Sequence, residues 1–152
     1  MGLKKKGSAI IMLFRGKYEF LSNFYPCLIV DRNYPDLIYH SVEAAFQATK
    51  TLDREKRKQF TYIDSSQARM RGKDLKLRED WENIKDSVMT YYCRQKFSDP
   101  ELRRKLIAVD KPIIEENFWK DRYWGVCNGT GQNKLGKILT KIREEALQHK
   151  VE

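Results

Sequence analysis

The sequence predicts an α+β fold: a helix-dominated single domain with a small β-sheet or hairpin. Apolar residues recur at helical spacing in several separate segments, and two short β-rich runs flank one turn-rich insert. No internal repeat, low-complexity tract or Pro/Gly/Ser linker divides the chain. Its 152 residues match one ordinary domain. A chain of that length buries roughly 68–70% of its unfolded surface, enough for a core without disulfides or structural metal.

Residues 1–9 read as a flexible basic tail, and residues 10–148 as the domain. Ile10–Phe14 is short and apolar, as a strand would be. Leu28-Ile29-Val30 and Leu37-Ile38-Tyr39 enclose Asp31 to Asp36, a hairpin pattern. Ser41 is a good N-cap for a helix to about Lys50. A second helix is expected over Asp53–Tyr62, and a third from a Ser65 cap through Met70, ended by Gly72. Ile84, Val88, Tyr91 and Tyr92 give helical periodicity over Asn83–Phe97. Asp99-Pro100 opens another helix, with Leu102, Leu106 and Val109 on one face and Lys111-Pro112 as its break. Ile113-Ile114 suggests a short strand, followed by a glycine-rich loop from Gly125 to Gly131. The last helix is expected over Asn133–Gln148, striped by Leu135, Ile138, Leu139, Ile142, Ala146 and Leu147.

Thirty Lys and Arg against 21 Asp and Glu leave a net charge of +9. Such an excess suits a polyanionic partner without specifying it. No apolar run approaches the roughly 20 residues of a membrane span, and the apolar part of the N-terminal segment is too short for an export signal. Cys27, Cys93 and Cys127 are odd in number and widely separated, with no CxxC pair. A reduced cytoplasmic protein without metal or cofactor is the expectation.

Three stretches can carry chemistry. On the helix after Ser41, the residues Val42, Ala45, Phe46 and Thr49 form an apolar stripe, with Ala44 and Ala48 behind it. Glu43, Gln47 and Lys50 line up at i, i+4 and i+7 on one side. A partly buried Glu can act as acid or base, and a desolvated Lys as a nucleophile; the plain alternative is a surface salt-bridge stripe. Asn117 to Gly125 packs Phe118, Trp119, Tyr123 and Trp124 among Lys120, Asp121 and Arg122, which suits stacking on a base as well as it suits core packing. Gly131 to Lys137 reads GxxxxGK, but Ile138 stands where a P-loop needs Ser or Thr, and Gly136 and Lys137 fall inside an expected helix. Phe20 to Pro26, including Ser22, Asn23 and Phe24, suits a pocket wall or a turn.

Taken in order, Phe20-Leu-Ser-Asn-Phe24, Val42-Glu43…Phe46-Gln47-Ala48…Lys50, Ala68…Gly72, Asp80-Trp81, Met89…Lys96-Phe97, Asp121-Arg-Tyr-Trp-Gly125 and Gly131-Gln-Asn…Leu135-Gly136 resemble the NADAR (YbiA-like) family over about residues 11–147. The resemblance implies an N-glycosidase that hydrolyses the N-ribosidic bond of a phosphorylated ribosyl substrate. That substrate is either a riboflavin-pathway intermediate or an ADP-ribose conjugate, including ADP-ribosylated guanine in nucleic acid. The family's catalytic glutamate falls on Glu43, its reactive lysine on Lys50, and the aspartate and tryptophan of its DRYWG-like segment on Asp121, a third catalytic candidate, and Trp124. Ala44-Ala45 departs from the histidine and aromatic common after that glutamate. Glu43 suits stabilisation of an oxocarbenium-like sugar or proton delivery to the leaving base. Lys50 suits Schiff-base formation on an opened sugar. Arg15, Arg69 and Lys73 are candidate phosphate contacts; Trp81, Trp119 and Trp124 candidate stacking walls; Ser22, Asn23, Phe24, Gln47 and Gly125 further candidate substrate contacts. The alternatives are a non-catalytic module that binds ADP-ribose, and a basic nucleic-acid-binding protein.

Overall fold

A computed structural model describes residues 14–151 of the chain. The tail over 1–9, and all but Phe14 of the strand expected over Ile10–Phe14, lie outside the described residues. The chain forms two compact units: Asn23–Lys96, and the flanking residues through Ser22 and from Phe97 onward.

In the Asn23–Lys96 unit, β1 (Ile29–Val30) and β2 (Ile38–Tyr39) pair antiparallel, Ile29 opposite Tyr39 and Val30 opposite Ile38. The expected hairpin is therefore present. The side-chain amide of Gln95 covers the outer edge of β1, accepting from Val30 N at 2.6 Å and donating to Val30 O at 3.1 Å. A neighbouring strand would make the same two bonds.

The hairpin turn is organised by a buried carboxylate. Asp31 Oδ1 accepts the N–H groups of Asn33 (2.8 Å) and Tyr34 (3.0 Å), while the Tyr39 hydroxyl donates to Oδ2 at 2.5 Å. Arg57, only 1% exposed, places Nη1 3.0 Å from Asp31 Oδ1 and 2.8 Å from Asn33 Oδ1, and donates Nε to Thr51 O at 2.7 Å. Burial, then the bond to Asp31, holds the Tyr39 phenol far above its usual range.

Helices α1 (Val42–Ala48), α2 (Arg54–Gln59), α3 (Ser65–Gly72) and α4 (Trp81–Lys96) complete this unit. Ser41 caps α1 as expected, its Oγ accepting from Ala44 N at 3.1 Å. Asp53 caps α2, which continues as a 3-10 turn over Phe60–Tyr62. The cap of α3 is Asp64 rather than the expected Ser65. Asp64 and Gln67 form a reciprocal capping box, and Ser65 instead donates its hydroxyl to Phe24 O at 3.1 Å. Helix α4 begins at Trp81, earlier than the periodicity from Asn83 suggests. Its buried face carries Cys93 and Lys96, the Lys96 amine 5.4 Å from the centroid of the Tyr25 ring. Burial pulls Lys96 down to about 8, against the influence of Cys27 and Cys93.

In the other unit a 3-10 turn over Gly16–Leu21 buries Phe20 and Leu21. Asp99 caps α5 (Pro100–Ile107), which packs on α6 (Lys134–Val151). Arg143 of α6 donates to both Val109 O and Lys111 O at 2.8 Å. Among the described residues Ile113-Ile114 forms no named strand, and Ile113 holds a single bridge position. The Asn133 side chain ties this segment to the start of the last helix, donating to Ile113 O at 3.0 Å and accepting from Glu115 N at 2.9 Å. Asn133 does so at φ 51°, immediately before α6. Gly136 and Lys137 lie within α6, so the GxxxxGK string forms no phosphate loop. Cys27, Cys93 and Cys127 are thiols, and no described helix is long and apolar enough to cross a membrane.

Asp31→Ala leaves the Arg57 guanidinium buried without its carboxylate, so chemical denaturation is expected to show a loss of about 3–5 kcal/mol. A second expectation concerns pH. The fold releases the Lys96 proton near 8, whereas an ordinary lysine holds it to 10.5. The unfolded chain thus binds the extra proton in that window, and stability rises as pH rises through it and falls as pH drops toward 8. Urea midpoints measured across the window should show this contribution as the difference between wild type and Lys96→Met, because burial of Cys93, Tyr39 and Tyr92 pulls the other way in both proteins.

Candidate functional site

Helix α1 is buried on most of its surface. Val42, Ala44, Ala45 and Ala48 are fully inaccessible and Phe46 is 5% exposed. Small alanine side chains permit this, because α3 and α4 both pack against the helix. Glu43, in the first turn of α1, and Lys50, in the turn that closes it, are both half-buried. The predicted stripe is thus real, and it belongs to a packed helix rather than a solvated face.

Each end of α1 is tied down. At the start, Glu43 N donates to Asn23 O at 3.0 Å. Asn23 also donates Nδ2 to Met89 Sδ at 3.4 Å. At the far end, Thr49 donates its hydroxyl to Ala45 O at 2.8 Å. That hydroxyl has a single proton, so the Tyr92 hydroxyl, also 2.8 Å away, donates to Thr49 Oγ1. Tyr92 in turn accepts from Arg32 N at 3.2 Å. Lys50 O accepts from Arg78 N at 2.8 Å, and Arg78 is held by a forked pair of bonds to Asp80.

Between the ends, Gln47 donates Nε2 to Glu43 Oε2 at 2.8 Å. The Lys50 amine lies 6.0 Å from the centroid of the Phe46 ring, which packs on Trp81 with centroids 5.0 Å apart. Burial lowers the Lys50 pKa; the Glu43 charge pushes it back up, and Lys85 lowers it further. Lys85 is itself paired with Glu82 at 2.7 Å.

Glu43, Gln47, Lys50 and the Trp81 wall are therefore brought together. Arg69 and Lys73 belong to α3 and its C-cap, Arg69 half-buried and Lys73 exposed. The carbonyls of Asn23 and Phe24 accept from Glu43 N and Ser65 Oγ, and the Asn23 side chain is taken up by Met89 and Cys93.

The remaining candidates belong to the other unit. Arg15 is exposed and stands before the 3-10 turn that Ser22 closes, with Ser22 N donating to Glu19 O. Asp121 is built into its loop: Oδ1 accepts the N–H groups of Tyr123 and Trp124, each at 3.0 Å. The Asn117 amide brackets the same residue, donating to Asp121 O at 2.8 Å and accepting from Asp121 N at 3.0 Å. Lys120 takes φ 70° to make this turn. Phe118 and Trp119 stack edge to face at 5.1 Å, 76% and 42% exposed, and Tyr123 and Trp124 do so at 4.8 Å. Gly125 has no room for a side chain, since a Cβ would collide with Glu115 and lie 2.8 Å from Asn117 Nδ2.

Sequence reasoning passes over Lys85 and Arg78, and reads Gly72 only as a helix end and a family motif position. Lys85 lies four residues beyond Trp81, one helical turn along the same face, and that spacing is a usable signal for it. Arg78 and Gly72 act through backbone positions and carry no such signal.

Asp121→Asn keeps the oxygen that caps the loop, so protection of the Tyr123 and Trp124 amides from hydrogen exchange is expected to stay close to wild type. Asp121→Ala removes it and should expose both amides.

Residues 13–147 match the family model described as the NADAR domain. The chain is 36% identical over 135 residues to the N-glycosidase YbiA of Shigella boydii, covering 84% of this chain and 81% of that protein. It is 35% identical over 137 residues to a riboflavin biosynthesis protein of Vibrio vulnificus, covering 87% of this chain. There the chain spans only 36% of the relative's length. Among solved structures, the NMR structure of the Escherichia coli protein YbiA matches with a TM-score of 0.80 and 30% identity over 94% of this chain and 88% of that one. The expected fold class, helix-rich with a two-stranded sheet, agrees with that neighbour.

Proposed function

Because this chain belongs to the NADAR domain family and is a hydrolase of N-glycosyl bonds, we propose that it cleaves the N-ribosidic bond of a phosphorylated ribosyl substrate. The observation that carries the reading is the pairing, at the two ends of one packed helix, of a half-buried carboxylate with a half-buried amine. These are Glu43 and Lys50, and burial lowers the pKa of the amine. The relatives named N-glycosidase and riboflavin biosynthesis protein support the reaction class.

Hydrolysis adds one water across the bond between the anomeric carbon and the base nitrogen. Positive charge develops on the sugar as that bond breaks, and a carboxylate beside the anomeric carbon stabilises it. Glu43 fills this role as the carboxylate or, where it starts as the carboxylic acid, protonates the departing nitrogen instead. Lys50 offers a covalent route when neutral: its amine attacks the anomeric carbon of the opened sugar, expels the base and leaves a Schiff base that water then cleaves. Desolvation favours that neutral form. Arg69 and Lys73 of the α3 segment meet the substrate phosphate in this reading, and Trp81 walls the site. The relative named for riboflavin biosynthesis favours a phosphoribosylamino-pyrimidine; an ADP-ribosyl conjugate of guanine is the other candidate of the same chemistry.

A mass-spectrometric panel holding both substrate types decides between them. Glu43→Gln and Lys50→Ala are expected to reduce release of ribose phosphate or ADP-ribose by roughly 10²–10⁴-fold while the fold is retained. Borohydride should trap a sugar adduct on Lys50 in wild type and none in Lys50→Ala. The wild-type rate should climb with pH through a value below the ordinary 10.5 of lysine, a limb that Lys50→Arg lacks. Full activity in both Glu43→Gln and Lys50→Ala would overturn the mechanism.

A further inference from the structure

Gln47 is 7% exposed, and its two amide atoms have opposite fates. Nε2 donates to Glu43 Oε2 at 2.8 Å, whereas Oε1 is buried with no hydrogen-bond partner. A buried acceptor left unpaired is costly, and rotating the amide by half a turn would be the obvious escape. That rotation would aim the amide oxygen at the Glu43 carboxylate, oxygen against oxygen, so the Glu43 contact holds the amide in its costly orientation. The orphan oxygen is lodged against Gly72: a Cβ built there would collide with Oε1 and lie 2.6 Å from Cδ. Only a residue with no side chain leaves the amide this seat.

We infer that Gln47, seated on Gly72, is a positioning residue that holds the Glu43 carboxylate in its working orientation through the Nε2–H bond, rather than a contact to substrate. The inference rests on the reading of Glu43 as the acting carboxylate. It accounts for an unpaired buried oxygen in a helix otherwise well satisfied, and for a glycine at the last position of α3.

The test uses Gln47→Met, which keeps length and volume but has no donor and no orphan oxygen. With a phosphoribosylamino-pyrimidine or an ADP-ribosyl guanine conjugate as substrate, kcat should fall on the order of 10²-fold with KM unchanged, as for a misplaced reacting group. The thermal midpoint should hold or rise, because the buried unpaired acceptor is gone; a merely structural glutamine would lower it. Gly72→Ala, whose Cβ would displace the Gln47 amide, should lower kcat by a similar factor in the wild-type background.

A readout independent of turnover is the titration of Glu43 by carbon NMR. Losing a hydrogen bond to the carboxylate should move its midpoint upward in Gln47→Met. Lys50 of its own segment interacts with Glu43, and the two helices packed on α1 carry further charges: Arg69, Arg71 and Lys73 on the α3 side, and Glu82, Lys85 and Asp86 on α4. All of these remain in both proteins, so the difference between the two titrations isolates Gln47.

A Gln47→Met protein with wild-type kcat, or with an unmoved Glu43 midpoint, would overturn the inference. So would a raised KM at unchanged kcat, which would make Gln47 a substrate contact. Glu43→Gln, run alongside, separates the two readings: if it stays fully active the proposed reaction mechanism fails, while the Glu43 titration still decides the role of Gln47.

Discussion

The Asn23–Lys96 unit depends on one buried carboxylate. Asp31 accepts from two backbone N–H groups, the Tyr39 hydroxyl and the Arg57 guanidinium, and so joins the hairpin turn, β2 and α2 at a single point. A buried ion pair alone is weak evidence of stability, because desolvating two charges is expensive. Here the neutral donors matter as much as the charge: they satisfy the carboxylate on several sides, while Arg57 directs its other N–H groups to Thr51 O and Asn33 Oδ1. The adjacent bond from Arg32 N to the Tyr92 hydroxyl carries the same constraint to Thr49, the residue before Lys50.

The electrostatics of α1 follow from packing more than from the protein's net charge. Alanines at 44, 45 and 48 let neighbouring helices close over the backbone, and that closure removes water from Lys50. Glu43 and Lys85 then act in opposite directions on the same amine. The excess of basic residues is spread over the sequence, whereas Glu43 and Lys50 are groups that solvent reaches only in part.

Local signals made much of this legible in the sequence. The Ser41 cap, the alanine-rich stripe and the Asp99-Pro100 start each act within one helical turn, and each is present in the structure. What escaped depended on partners distant in the chain. Ile113-Ile114 has strand composition, but among the described residues it holds only a single bridge position, and the Asn133 amide, from 20 residues away, binds Ile113 O. Ser65 has the composition of a cap, yet Asp64 and Gln67 close their own box and leave its hydroxyl for Phe24 O. The site shows the same division. Glu43 and Lys50 are visible from spacing, whereas the seat that Gly72 provides for Gln47 depends on the packing of α3 against α1.

Helix α1 is only seven residues long, and both of its ends are tied to other segments. A helix of two turns cannot lengthen or bend to alter the spacing of the side chains at its ends without breaking its own hydrogen bonds. The helix therefore works as a fixed ruler between the Glu43 and Lys50 positions, and a residue inserted or deleted between them would have to break its hydrogen bonds or the ties at its ends.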